Sequence, residues 1–436
     1  MLRNLTLDEA LSDARGDYAA ARPRSRELHE AASRHLPGGN TRTVLYHGPF
    51  PFRVAHGEGA MLEDVDGHRY LNLLGEYTAG VFGHSHPVIQ RAIIAAVEKG
   101  LNFGAHNVDE ARLGELVTAR FPAIERVRFT NSGTEANLMA VSLARHVTNR
   151  DKVMVFAGGY HGALLYFAGA GSPINAPFPY VMGTYNDIDA TRALIHAKGR
   201  EIACILVEPM QGSGGCIPAQ PEFLQMLQEE ARAAGAMLIF DEVMTSRLGR
   251  GGAHSLLGLE PDLMTLGKWV GGGMTFGAFG GRADLMARFD PSAPEALPHA
   301  GTFNNNVVTM AAGIAALTDA FTPDIAEELH ARGDKLRGRM NAQFADRGLA
   351  MCATGLGSLI NIHPTAGPIS NRDDLSEAPD TVRELVFLDL LARGFYVARR
   401  GFIALSIAVT ENDLDRFINA LGDILDERKP LLPRLA

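Results

Sequence analysis

Cysteine is nearly absent from this chain. The three present among 436 residues, Cys204, Cys216 and Cys352, are widely spaced and form no C-x-x-C pair. That excludes a disulfide framework and a zinc ribbon, and it suits a reducing compartment. Long apolar runs are missing as well: no uninterrupted stretch reaches the roughly 20 residues of a membrane-spanning helix, and residues 1–39 are polar and charged. A cytoplasmic protein is expected. Positive charge is lacking too, with a formal net charge of −9 and no basic cluster, which leaves no electrostatic footprint for nucleic acid or an anionic membrane. Small molecules and other proteins are the expected partners. Lysine itself is scarce, only six of the 41 basic residues.

What is present is a chain 46% apolar and long enough for more than one lobe. Its first 36 residues have helical periodicity and stop at Pro37-Gly38-Gly39. AMLEDVDGHRYLNLL then alternates about Asp66-Gly67, the pattern of a hairpin. From about residue 90 to 320, short apolar runs alternate with amphipathic stretches. The runs are RVRFT (126–130), KVMVFA (152–157), ACILVE (203–208), AMLIFDE (236–242), LMTL (263–266) and FGAFGG (276–281). This predicts an α/β fold with a mostly parallel sheet flanked by helices. Beyond Thr322, DIAEELHARGDKLRGRMNAQFADRG and ENDLDRFINALGDILDE read as helices of a second, α+β lobe.

Ligands of open α/β sheets sit outside the carboxyl ends of the strands, so the polar residues that follow each apolar run are the ones to inspect. Asn131-Ser132-Gly133-Thr134 closes one run and opens a helix, where backbone N–H groups, hydroxyls and the helix dipole converge on an anion such as a phosphate. The same residues also make an ordinary N-cap. Asp241 and Glu242 emerge from another run, and a carboxylate there needs a partner, either a heterocyclic cation or an arginine. Tyr160 and His161 follow a Gly-Gly turn, placing a ring that either stacks on a flat ligand or packs the loop. The fourth place is Lys268, the only lysine directly behind a buried run, followed closely by Gly271-Gly272-Gly273. Desolvation lowers a lysine pKa, and the neutral amine is the form that makes a Schiff base. Phosphate cup, carboxylate, stacking ring and amine together specify pyridoxal phosphate.

With that set assembled, the sequence resembles the class III aminotransferases of pyridoxal-phosphate fold type I through nearly its whole length. The motifs are GHSHP (83–87), NSGTEAN (131–137), GGYHG (158–162), VEPMQG (207–212), FDEVMT (240–245), TLGKWVGGG (265–273) and GTFNNN (301–306). The resemblance implies that Lys268 is the Schiff-base lysine, Asp241 contacts the pyridine nitrogen and Val243 packs against the ring. It implies that Ser132, Gly133 and Thr134 hold the phosphate, that Tyr160 stacks on the cofactor, and that Thr302 reaches the phosphate of the neighbouring subunit of a homodimer with active sites at its interface. It also implies a large domain, residues 76–322, and a small domain formed by residues 1–75 and 323–436.

Within the class, PGGNTRTVLYHGPFPF, GEYTAGVFGHSHP, FDEVMTSRLG and VARRGF look like the aromatic β-amino-acid (β-phenylalanine) aminotransferases. In them an arginine matching Arg42 binds the substrate carboxylate, and one matching Arg400 is a movable clamp for the α-carboxylate of the amino acceptor, 2-oxoglutarate or pyruvate; Arg399 is the neighbouring alternative. Tyr46, Tyr77 and Met244 are candidate pocket walls. Glutamate-1-semialdehyde aminomutases share DEVMT and stand as the alternative, beside other class III omega-transaminases, although GGGMTFGAFGG lacks their usual proline. His84 and His86 lack further ligand clustering and read as part of a turn rather than a metal site. Glu208 has no role assignable from sequence.

Overall fold

The computed structural model describes residues 6–168 and 171–435; residues 1–5 of the expected helical stretch lie outside them. Helix Leu7–Ala21 starts on a reciprocal cap, in which the Thr6 hydroxyl accepts the Glu9 N–H (3.3 Å) and the Glu9 carboxylate accepts the Thr6 N–H (2.8 Å). Pro23 has no N–H to continue it and instead opens the second helix, Pro23–Ser33. The hairpin forms as its alternation predicts: Met61–Asp64 runs antiparallel to Arg69–Asn72, with Leu62 opposite Tyr70. Val54–Glu58 and Phe395–Tyr396 complete a four-stranded sheet. Both ends of the chain therefore contribute to one layer.

The central sheet has seven strands: β1 Arg126–Thr130, β2 Lys152–Phe156, β3 Tyr180–Gly183, β4 Ile202–Val207, β5 Met237–Asp241, β6 Leu263–Gly267 and β7 Gly277–Gly281. Their spatial order is β1-β7-β6-β5-β4-β2-β3. Every neighbouring pair is parallel except the two made by β7. β4, β6 and β7 are buried at every residue, which is why they read as continuous apolar runs rather than alternating ones. β3 was not visible as a run. It is a four-residue edge strand that alternates in burial, and an edge position with one neighbour demands no unbroken apolar stretch.

Register brings the chemistry-bearing ends together. Thr130 pairs with Gly277, Gly277 with Gly267, and Asp241 with Thr265, all at one edge of the sheet. The carboxyl-terminal region closes over that edge. The Ala404 N–H donates to the Leu73 carbonyl and the Ile407 N–H to the Val81 carbonyl, each at 2.8 Å, so residues 404–407 lie along the 73–81 segment. No helix among the described residues is long and apolar enough to cross a membrane.

Candidate active site

Lys268 leaves β6 in a left-handed conformation, φ +56°, which turns its side chain away from the strand direction. Its Nζ donates to the Tyr77 carbonyl at 2.7 Å. Some of the side chain remains in contact with solvent, but the amine lies deep in the molecule, and that desolvation pulls its pKa down to about 8. Arg400 and Arg247 act in the same direction, against Asp241 and Glu208. A lysine so placed, with no carboxylate ion pair, gives up its proton far more readily than a solvated one.

Asp241 ends β5 with its carboxylate buried. Its Oδ2 accepts from the Asn137 side-chain amide (2.8 Å) and lies 2.8 Å from His161 Nδ1, while its Oδ1 accepts the Val243 N–H (3.0 Å). Asn137 is itself fixed, because its Oδ1 accepts the Thr265 hydroxyl at 2.8 Å. The adjacent Glu242 points elsewhere. It is fully buried and accepts the Ala253 and His254 N–H groups, both at 2.7 Å, with His254 Nδ1 at 2.8 Å. The two carboxylates, which only the family resemblance separates in the sequence, thus have different surroundings, and only Asp241 borders the residues gathered here.

Ser132 caps helix Gly133–Thr148, its hydroxyl accepting the Glu135 N–H at 3.2 Å. The N–H groups of Gly133 and Thr134 have no partner inside the helix, as at any helix start. A Cβ on Gly133 would sit 2.9 Å from Val243, so the cup and the Asp241 turn touch. Two other glycines permit this closeness: at Gly277 a Cβ would meet the Ser132 carbonyl at 2.2 Å, and at Gly162, φ +118°, it would meet the Thr134 hydroxyl at 2.2 Å. The Ala163 N–H donates to that hydroxyl at 3.3 Å, which brings the Tyr160 loop to the cup. Tyr160 remains 43% exposed, its ring edge-on to Tyr166 at 5.5 Å.

Glu208 proves to be the brace between two loops. Its buried carboxylate accepts the Tyr160 N–H at 2.9 Å and the Gly212 N–H at 3.0 Å. Burial, with Asp241 adding repulsion, pushes its pKa up to about 7. The folded state therefore holds a proton that the unfolded chain releases between about pH 4.5 and 7, and stability falls as pH rises through that window. Glu208→Gln is expected to flatten this part of the Tm-against-pH curve, as thermal melts of both proteins from pH 5 to 7.5 would read.

Tyr77 collects the arginines. Its ring stacks on Phe402 (5.5 Å, 12°), with Arg400 Cζ 5.4 Å and Arg42 Cζ 6.0 Å from its centroid. Arg42 is half-exposed and ion-pairs with Glu76. Arg399 is held by Asp380 (2.6 Å) and Glu384 (2.7 Å), whereas Arg400 donates only to Ser213, carbonyl and hydroxyl, at 3.1 and 3.2 Å. Among the described residues Arg400 has no carboxylate partner and is the one available to a ligand. Met244 packs on the Gly212 turn, and Tyr46, half-exposed, lies against His29. Thr302 is exposed, on a loop whose Asn304 side-chain oxygen accepts the Asn131 side-chain amide at 3.0 Å, next to the Ser132 cup. His84 Nε2 lies 2.9 Å from the Asn72 amide. Sequence reasoning left Asn137, Thr265, Ser213 and Phe402 unassigned. Asn137, Thr265 and Phe402 stood inside quoted motifs, but nothing local showed what they would face.

The class III aminotransferase family model matches residues 45–425. The chain is 51% identical, over 99% of its length and 100% of the relative's, to a β-phenylalanine transaminase from Variovorax paradoxus. A crystal structure of a β-phenylalanine aminotransferase from that organism superposes with a TM-score of 0.98 at 52% identity, covering 99% of this chain and 100% of the other. A glutamate-1-semialdehyde 2,1-aminomutase from Sorangium cellulosum is 39% identical over 94% of this chain and 98% of its own. A transaminase structure with pyridoxal phosphate bound is 35% identical with a TM-score of 0.86, covering 93% and 97%.

The residues fit that cofactor on their own terms. The missing Cβ of Gly133 lets the helix start pack directly on Val243, Tyr160 keeps a face open, Asp241 is buried with no lysine or arginine partner among the described residues, and Lys268 offers an amine without a carboxylate ion pair. The chain belongs to the class III aminotransferases and is a pyridoxal-phosphate-dependent transferase.

Proposed function

We propose that this enzyme moves the amino group of a β-amino acid, aromatic as in β-phenylalanine, to 2-oxoglutarate or pyruvate. The observation that carries the reading is the pair of arginines, Arg42 and Arg400, on one Tyr77 ring whose own carbonyl holds Lys268. A guanidinium fork binds a carboxylate bidentately. Two of them beside one amine suit an enzyme that binds a monocarboxylate with an apolar arm in one half-reaction and an α-keto acid in the other.

Bound at this site, pyridoxal phosphate supplies a carbonyl carbon for amines and a ring that draws electrons from the carbon next to the nitrogen. Lys268 would hold it through its amine, and the same amine, freed, would carry a proton to and from the amine-bearing carbon of the substrate. Asp241, fixed by Asn137 and His161, would face the ring nitrogen and favour its protonated form. Val243 and Tyr160 would hold the ring, while Ser132, Gly133 and Thr134 would bind the phosphate. Arg42 orients the donor carboxylate and Arg400 the acceptor's α-carboxylate.

A homodimer completes the site. Thr302 would serve the partner's phosphate, and exposed apolar groups on its loop and nearby, Phe303 (56%) and Phe103 (51%), would be covered. Three free thiols fit a cytoplasmic location.

Incubation with β-phenylalanine, with and without 2-oxoglutarate, followed by chiral chromatography tests the reading. Consumption is expected only with the acceptor. Conversion of glutamate-1-semialdehyde with no acceptor, and inert β-phenylalanine, would establish the isomerase instead.

A further inference from the structure

Of the two arginines on the Tyr77 ring, one is already matched by an acid. Arg42 ion-pairs with Glu76, whereas Arg400, which also lies over Phe402 at 5.4 Å, donates only to the Ser213 carbonyl and hydroxyl. The difference originates in an unusual piece of backbone. Glu76, Tyr77 and Thr78, three non-glycine residues in succession, take left-handed conformations at φ +50°, +49° and +85°, behind Gly75 at +55°. L-residues visit that region singly and at a cost, and a run of them persists only where the surroundings enforce it.

Here they do. The Gly80 N–H donates to the Gly75 carbonyl (3.0 Å) and the Ala79 N–H to the Glu76 carbonyl (3.2 Å), while a Cβ on Gly75 would sit 2.4 Å from the Ala404 carbonyl. The turn is wedged against the carboxyl-terminal segment. On its other side the Tyr77 hydroxyl donates to the Val44 carbonyl at 3.2 Å, which ties it to the segment carrying Arg42, and the Arg42 N–H is fixed on the Asn40 side-chain oxygen at 2.9 Å. One strained turn thus presents the Tyr77 carbonyl to Lys268 Nζ at 2.7 Å and, one residue earlier, the Glu76 carboxylate to Arg42.

We propose that Glu76 is a specificity-determining residue: an internal carboxylate that occupies Arg42 until the carboxylate of the amino donor displaces it, and that leaves Arg400 as the open guanidinium for a keto acid. The inference rests on Arg42 being the residue that binds the donor carboxylate. The Arg42 and Glu76 side chains are 44% and 53% exposed, and an ion pair at that exposure is weak. A weak pair yields to a carboxylate that is held at the same time through its amine, because the second contact is then intramolecular. With Arg42 occupied, the α-carboxylate of a keto acid meets the arginine that has no acid beside it. The two guanidiniums on one ring are sorted by Glu76.

The test compares, in the holoenzyme, the KM for β-phenylalanine with the KM for α-methylbenzylamine, the same skeleton without a carboxylate. In Glu76→Gln, which keeps the shape and removes the charge, the ratio of the two is expected to fall by about 3–5-fold, the worth of one exposed ion pair. The inhibition constant of hydrocinnamate, which has the carboxylate and no amine, should fall with it. Inhibition by excess 2-oxoglutarate, competitive with the donor, should deepen, because Arg42 then stands open to it. Glu76→Asp draws the carboxylate back by one methylene and is expected to shift the ratio the same way. An unchanged or raised ratio in Glu76→Gln, or unaltered inhibition by 2-oxoglutarate, overturns the proposal. So does a shift in Glu76→Gln with none in Glu76→Asp, which would mark a charge effect that needs no occupancy. Failure of the Arg42 reading would look different: Arg42→Gln, which otherwise raises the ratio steeply, would leave it at the parent value.

Discussion

Lys268→Ala lowers kcat by at least ~10⁴-fold, the upper end of what one general acid–base group contributes, and abolishes the visible absorbance of the holoenzyme. Two functions disappear with one amine, the anchor of the cofactor and the group that carries the proton. The fold gives good reason to expect the rest of the molecule to survive. Lys268 makes one side-chain bond, to the Tyr77 carbonyl, and no ion pair among the described residues; alanine keeps a Cβ in the left-handed conformation at this position, so backbone strain is unchanged. Far-UV circular dichroism and Tm should therefore stay close to the parent. Lys268→Arg should not rescue turnover, because a guanidinium cannot become the neutral nucleophile the site requires. Parent-like absorbance in Lys268→Ala would move the anchor to another residue.

The strands of the central sheet were legible because burial on both faces leaves an unbroken apolar run, as in ACILVE and FGAFGG. The edge strand Tyr180–Gly183 was not, since a single neighbour imposes no such pattern. The site was legible to the extent that its residues follow strands: Lys268, Asp241, Tyr160 and the Ser132 cup all do, and packing draws the cup, Val243 and the Tyr160 loop into contact. What composition and spacing could not give without the family resemblance is the choice between adjacent like residues. Asp241 and Glu242 differ only in the face of the strand end on which they emerge, and Arg399 and Arg400 only in that Asp380 and Glu384 lie within reach of the first. Some of these choices depend on partners distant in sequence, as with Ser213 receiving Arg400 from 187 positions away. Glu208 belongs to the same class: a carboxylate that braces Tyr160 and Gly212 has no signature in its own motif.

The second large effect tests one of those choices. Asp241→Asn is expected to cost ~10²–10³-fold in kcat, in line with the 2–5 kcal/mol lost when one partner of a buried charge pair is removed. The substitution preserves shape and removes charge, and the surroundings cannot adapt to it. Oδ2 faces two groups, the Asn137 amide and His161 Nδ1, and Asn137 cannot simply flip because its oxygen already accepts the Thr265 hydroxyl. An amide at position 241 therefore either opposes donor to donor or presents its oxygen there and turns N–H toward the Val243 N–H. Weaker retention of the cofactor should accompany the loss, measured by dialysis against cofactor-free buffer. Glu242→Gln supplies the contrast. That carboxylate accepts backbone N–H groups of Ala253 and His254, so its loss should lower Tm while leaving kcat within a few-fold of the parent. If the two variants exchanged these signatures, the carboxylate serving the cofactor would be Glu242, and the Asn137–His161 pair would be holding a structural group instead.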